Sequence, residues 1–228
     1  MREVAPNVWL IESRLPYVVN AYLVGDTLVD CATRHASRRF ARELGGRSLA
    51  RIVLTHAHAD HQGLAYALST RWGIPVYCHE ADLPVLRGEV PDPNRSWSNR
   101  LLSPLFAGPP CPHAEPLTPV LRFGGFRMVH LPGHTAGSVV FFRDADGVCL
   151  CGDVILSVWL PGLGARALEP SRAACDDWRE NRRSIRLLWE LQPRLLLPGH
   201  GPPIENPPVL DRLAEQLRRL EPAPCPAP

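Results

Sequence analysis

The chain has 228 residues with 25 basic and 23 acidic side chains, a formal charge of +2, and every basic residue is arginine. A balance so near neutrality offers no broad surface for nucleic acid or an anionic membrane, and the absence of lysine excludes Schiff-base and P-loop lysine chemistry. The length suits one large domain, and 45% hydrophobic with 21% charged residues is a globular composition.

Met1 to Leu10 shows no cationic stretch ahead of a long apolar segment, so no signal peptide is expected. No apolar run approaches the about 18 residues of a membrane span. Seven cysteines, an odd number without knuckle spacing, predict free thiols and a reduced, cytoplasmic protein. Strands are predicted at Val8–Glu12, Val18–Val24 and Thr27–Asp30, with Gly25-Asp26 as a turn. A helix follows from His35 to Leu44, then a buried strand Arg51–Thr55, a helix Asp60–Trp72 and a strand Val76–Cys78. After a short helix at Glu80–Arg87, the proline-rich stretch 88–119 reads as an irregular flap on the substrate side. Strands resume over Arg122–Arg143, broken at Pro132-Gly133, and at Val148–Cys151, where Cys149 and Cys151 share one face. A helix from the N-cap candidate Ser171 to Gln192, the strand Leu195–Leu197 and a helix from Pro208 to Leu220 complete residues 1–220; a disordered tail, 221–228, is expected beyond.

The chemistry lies in Thr55-His56-Ala57-His58-Ala59-Asp60-His61, four candidate ligands between a strand and a helix. Imidazole nitrogen and carboxylate oxygen suit zinc, iron and manganese, and a non-periodic loop can turn all four inward. Three further strand ends repeat one grammar, a glycine beside one ligand: Pro132-Gly133-His134-Thr135, Cys151-Gly152-Asp153 and Pro198-Gly199-His200-Gly201. Five histidines and two aspartates exceed what one four-coordinate zinc takes, and they suit two cations with three terminal ligands each and a bridging carboxylate.

The HxHxDH motif followed by separate His, Asp and His resembles the metallo-β-lactamase superfamily over nearly the whole chain. The resemblance implies a four-layer αβ/βα sandwich, two mixed sheets with outer helices. It implies that His56, His58 and His134 hold one metal, that Asp60, His61 and His200 hold the other, and that Asp153 bridges them. THAHADHQG and LPGHTAGS are most similar to small glyoxalase II-like hydrolases. Class B β-lactamases commonly carry cysteine or serine in place of Asp153, and the flavodiiron branch has glutamate in place of His58. Acyl-homoserine lactonases carry a tyrosine shortly after the bridging aspartate, where this chain has Val154 to Trp159. The helical extension that binds glutathione in glyoxalase II is reduced here to one helix and a tail.

The expected activity is therefore dinuclear hydrolysis of a carbonyl ester or thioester by a bridging hydroxide. Two divalent ions serve it, zinc ahead of iron or manganese, and Asp60 orients the hydroxide. The alternative is a mononuclear iron persulfide dioxygenase using His56, His134 and Asp153, followed by a lactonase, a phosphodiesterase or a noncatalytic binding protein. Trp97, Phe106, Trp159 and Leu160 are candidate acyl-pocket residues and Arg166 a candidate anion contact. The expected partner is a small-molecule substrate, without nucleic acid or membrane, and the sequence leaves the oligomeric state open. His130, two positions before Pro132, reads as a hydrogen-bonded histidine or as a support to a ligand.

Overall fold

The computed structural model of the chain describes residues 1–12, 17–93 and 103–205, with Leu213, Glu215 and Leu217. Seven strands form the first sheet in sequence order: β1 (Arg2–Ala5), β2 (Val8–Glu12), β3 (Asn20–Val24), β4 (Thr27–Val29), β5 (Arg51–Val53), β6 (Val76–Cys78) and β7 (Glu115–Pro116). The first four make an antiparallel meander, and β4 to β7 are parallel, joined by crossovers that carry helices. The second sheet holds β8 (Arg127–His130), β9 (Val139–Arg143), β10 (Val148–Gly152), β13 (Leu195–Pro198) and β14 (Ile204–Glu205) in the order β14-β13-β10-β9-β8. Between β10 and its parallel neighbour β13, the chain makes a separate hairpin of β11 (Leu156–Leu160) and β12 (Gly164–Leu168).

Alternation along the strands builds the layers. Leu10, Tyr22, Val29 and Val53 from the first sheet meet Val139, Phe141, Val148 and Leu150 from the second in one inner core. Their neighbours Ile11, Leu23, Leu28 and Ile52 face outward against Phe40 of α1 (Ser37–Glu43), its C-cap Leu44, Leu68 of α3 (Ala65–Trp72) and both ends of α4 (Leu83–Leu86). Val140, Phe142, Cys149 and Cys151 likewise pack on Ile185 and Leu188 of α5 (Trp178–Glu190), with Leu213 and Leu217. Strands buried on both faces explain the continuous apolar runs VVFF and VCLC. The result is the expected αβ/βα arrangement.

Three boundaries differ from expectation, each for a hydrogen-bonding reason. The helix over Asp60–Trp72 is two pieces, α2 (Ala59–Gln62) and α3, because the Gly63 N–H leaves the helical ladder and donates to the Ala32 carbonyl at 2.8 Å. Ser171 opens only a 3-10 turn. The N–H groups of Asp176 and Asp177 donate to the His134 and Gly133 carbonyls at 3.0 and 2.9 Å, so α5 starts later, capped by Asp177 accepting from Arg179 and Glu180. Within the proline-rich stretch, β7 adds two residues to the first sheet while Cys111, Ala114 and Leu117 are buried, so its latter part is not irregular. Residues 94–102 and most of the final helix and tail lie outside the described residues. No helix among the described residues is long and apolar enough to cross a membrane.

The six described cysteines are free and buried. Burial pushes the thiols of Cys31, Cys78, Cys149 and Cys151 up, so they stay protonated at pH 8. The native protein is expected to leave all six unmodified by iodoacetamide at that pH and to react at them in denaturant. Native-state labelling of Cys149 or Cys151, read by mass spectrometry, would contradict this placement.

Candidate metal centre

The site forms where parallel strands of both sheets end. The loop after β5 supplies His56, His58, Asp60 and His61, the last two on α2; the β8–β9 loop supplies His134, the end of β10 supplies Asp153, and the end of β13 supplies His200. Strand ends converge here because irregular backbone can point side chains across the gap between sheets. Two glycines make room. A Cβ at Gly133, which has φ +126°, would lie 2.1 Å from the Asn181 backbone nitrogen, and one at Gly199 would lie 2.3 Å from Asp153 Oδ1. Turn conformation and space both matter at the first, and space at the second.

All seven predicted ligands come together. The rings of His56, His58 and His134 form a triangle with centroids 4.6 to 4.8 Å apart. Donor atoms of His56, His58 and His134 lie within 4.8 Å of one another, as do those of Asp60, His61 and His200, and those of His56, His61 and Asp153. Asp153 sits between the groups, its carboxylate 3.1 Å from His200 Nε2, 3.5 Å from His61 Nε2 and 3.6 Å from His134 Nε2.

Outer partners fix which nitrogen faces inward. Thr55 Oγ1 donates to Asp30 Oδ2 at 2.8 Å and so accepts from His56 Nδ1 at 3.0 Å. Asp30 also accepts from His61 Nδ1 at 2.9 Å and from the Thr55 N–H at 2.8 Å. His200 Nδ1 donates to the Val18 carbonyl, and His134 Nδ1 faces Cys175 Sγ at 3.9 Å. Each arrangement turns Nε2 toward the shared space. The Nε2 atoms of His56, His58 and His134 and Oδ1 of Asp153 are buried without a hydrogen bond. Buried polar atoms are rarely left so, and a cation is the partner that three imidazole nitrogens and a carboxylate suit together.

Electrostatics divide the histidines into two groups. Burial, reinforced by the neighbouring histidines, holds His56 far below its usual value and His134 at about 3, so both stay neutral and available as ligands. Burial would lower His200 too, but the charge of Asp153 and hydrogen bonds to Asp153 and Asp60 raise it to about 10. Burial opposes ionisation of Asp60 and Asp153, yet the hydrogen bonds and charges of His61 and His200 keep both carboxyls below the ordinary range. The centre therefore presents two carboxylates at neutral pH.

The family model for the metallo-beta-lactamase superfamily matches residues 14–200. The chain belongs to that superfamily. The "Probable metallo-hydrolase YflN" of Bacillus subtilis (strain 168) is 28% identical over 202 residues, 81% of this chain and 75% of that protein. The crystal structure of the metallo-beta-lactamase family protein TTHA1429 from Thermus thermophilus superposes with a TM-score of 0.69 at 26% identity, covering 95% of this chain and 81% of that one. The structure of TTHA1623 in a di-iron-bound form matches with a TM-score of 0.60 at 27% identity, covering 92% and 96%. Superfamily membership, relatives named as probable metallo-hydrolases and the convergent His/Asp groups support a metal-dependent hydrolase.

The centre opens into a cleft of about 430 Å³ walled by Phe106, Leu156, Pro170 and Ala174. Of the candidate substrate residues, Phe106 lines it. Leu160, Trp159 and Arg166 belong to the β11–β12 hairpin and are not part of that wall, and Trp97 lies outside the described residues. His130 is exposed, stacks on His79 at 3.9 Å and bonds the Ala136 carbonyl at 2.9 Å, so it supports no ligand directly.

Sequence reasoning missed four supporting residues. Asp30 is one. Asn20 and Tyr22 hold the His200 loop through the Pro198 carbonyl at 2.9 and 2.7 Å, and Asn20 also reaches the Gly201 carbonyl at 2.8 Å. Asp82 accepts from Ala57 N at 2.9 Å, Thr135 Oγ1 at 2.8 Å and Gly137 N at 2.7 Å, tying the loop of His56 and His58 to that of His134.

Proposed function

We propose that the protein is a dinuclear hydrolase of carbonyl esters or thioesters. In this reading His56, His58 and His134 hold one cation, Asp60, His61 and His200 hold the other, and Asp153 lies between. The observation that carries it is the placement of Asp153 within 3.1 to 3.6 Å of imidazoles from both triads. The di-iron form of TTHA1623 supports a two-metal reading. Two divalent cations held there would lower the pKa of a water to about 7 and would offset the negative charge that develops on a carbonyl oxygen.

The chain's own residues do the rest. Asp60, ionised and 3.2 Å from His200 Nε2 through its Oδ2, is placed at the cleft to orient the attacking water. Phe106, Leu156 and Pro170 give the cleft apolar walls that favour an apolar acyl group over bulk water. Water adds to the carbonyl carbon, the bond to sulfur or oxygen breaks, and a carboxylate and a thiol or alcohol leave. A thiolate departs without a strong acid, so the thioester reaction needs no proton donor from the cleft.

A panel of acyl thioesters, esters, lactones and phosphodiesters, run alongside metal analysis, tests the proposal. Two metal equivalents with turnover of thioesters is the expected result. Turnover of phosphodiesters alone, or one iron with oxygen uptake on glutathione persulfide, would overturn it. Chelation is also expected to lower the melting temperature on the order of 10 °C, because ligands from both sheets lose what joins them. An unchanged melting temperature after verified metal removal would count against the centre as a bridge between sheets.

A further inference from the structure

The chain leaves the sandwich after Asp153 as the β11–β12 hairpin, and from Val154 to Leu168 its one charged residue is Arg166. Successive side chains on a strand alternate between faces. The register pairs Leu156 with Leu168, Val158 with Arg166 and Leu160 with Gly164, so Leu156, Val158, Leu160, Arg166 and Leu168 share one face. Leu156 also lines the cleft over the His/Asp cluster, as does Pro170 just past the hairpin. That face therefore continues the cleft wall outward. A hairpin face turned to water ordinarily carries polar residues, yet Leu160 and Leu168 are 39% and 45% exposed. The opposite face behaves differently: at its root Ser157 and Ala167 are buried, and only Trp159, 64% exposed, stands clear.

We infer that the face bearing Leu156, Val158 and Leu160 binds a straight, apolar acyl chain of the substrate, with the reacting carbonyl at the ligand cluster. From Leu156 to Leu160 is about 13 Å of strand, long enough for on the order of ten methylenes of extended chain. Arg166 is compatible with this, since its stem lies along apolar surface while its guanidinium stays in water. The inference rests on the hydrolase reading for the direction of the chain, and it makes Val158 and Leu160 determinants of chain length. Trp159 was grouped with Leu160 by sequence; the alternation places it on the other face, away from the acyl chain.

The test is equilibrium binding of butyrate, hexanoate, octanoate and decanoate, the free acids, to the protein as purified with its metal. A wall covering one side of the chain gives about a twofold fall in Kd per methylene, or about 60-fold from butyrate to decanoate. Val158→Asp and Leu160→Asp are expected to flatten that slope. Trp159→Ser should keep the slope. A flat series in the wild-type protein overturns the inference. So does a slope that survives both aspartate variants, or a dimer in light scattering that Leu160→Asp returns to a monomer. Because binding is read without turnover, a steep slope in a protein that hydrolyses no ester or thioester would leave the acyl wall standing and remove the hydrolase reading instead.

Discussion

Asp153→Ala protein is expected to retain at most one metal equivalent and to lose turnover on the order of 10³-fold. The carboxylate is buried and stands 3.1 Å from His200 Nε2, 3.5 Å from His61 Nε2 and 3.6 Å from His134 Nε2. It thereby places one negative charge beside imidazoles of both triads. Alanine removes the anion that two neighbouring cations share, and so raises the cost of placing the second beside the first. His58→Ala opens only one triad, and its loss of metal should be confined to that half. Metal analysis of both variants beside kcat/KM checks the assignment. Two equivalents with unaltered turnover in Asp153→Ala would remove that residue from the centre.

Asp82→Ala should cost about 3–5 kcal/mol, because three donors lose a charged acceptor at once and the alanine offers nothing in return. For a chain of this size, that is a fall of about 10 °C or more in melting temperature. The carboxylate is buried, with Ala57 N and Thr135 Oγ1 on Oδ2 and Gly137 N on Oδ1. Asn presents one oxygen and one NH2 group to these donors, so Asp82→Asn should fall between wild type and alanine. The effect should reach the ligands. Ala57 lies between His56 and His58, and Thr135 follows His134, so loosening either loop spoils that triangle; losses of about 10–100-fold in metal affinity are typical of such supports. Calorimetric unfolding and competitive chelation measure the two effects separately. A variant with unchanged stability and affinity would show that the loops hold themselves.

The ligands were legible because their signal is local. HAHADH places four donors in six residues, and each remaining ligand stands beside a glycine at the end of an apolar strand. The sandwich was legible for a related reason: runs such as VVFF announce strands buried on both faces. What escaped notice was each single polar residue whose purpose depends on a distant partner. Asp30 lies 31 positions from His61 and Asp82 lies 55 from Gly137, and nothing around either residue marks it. The cap of α5 could have been found, since Asp177 followed three residues later by Glu180 is a capping pattern, but Ser171 offered an earlier start. The β11–β12 hairpin escaped because its residues were weighed for a missing tyrosine and a pocket. Pro161-Gly162 between two apolar runs was the available turn signal.

The grip of β3 on the His200 loop bears on how the chain acquires its shape. Asn20 reaches Pro198 and Gly201 across 178 and 181 positions. Contacts so far apart in the chain form late, since the intervening loop must close before they contribute. During synthesis, Asn20 of β3 emerges 178 residues ahead of its partner Pro198. The seven side chains at the strand ends therefore assemble as a closing event of folding, and they cannot serve as the nucleus from which it starts.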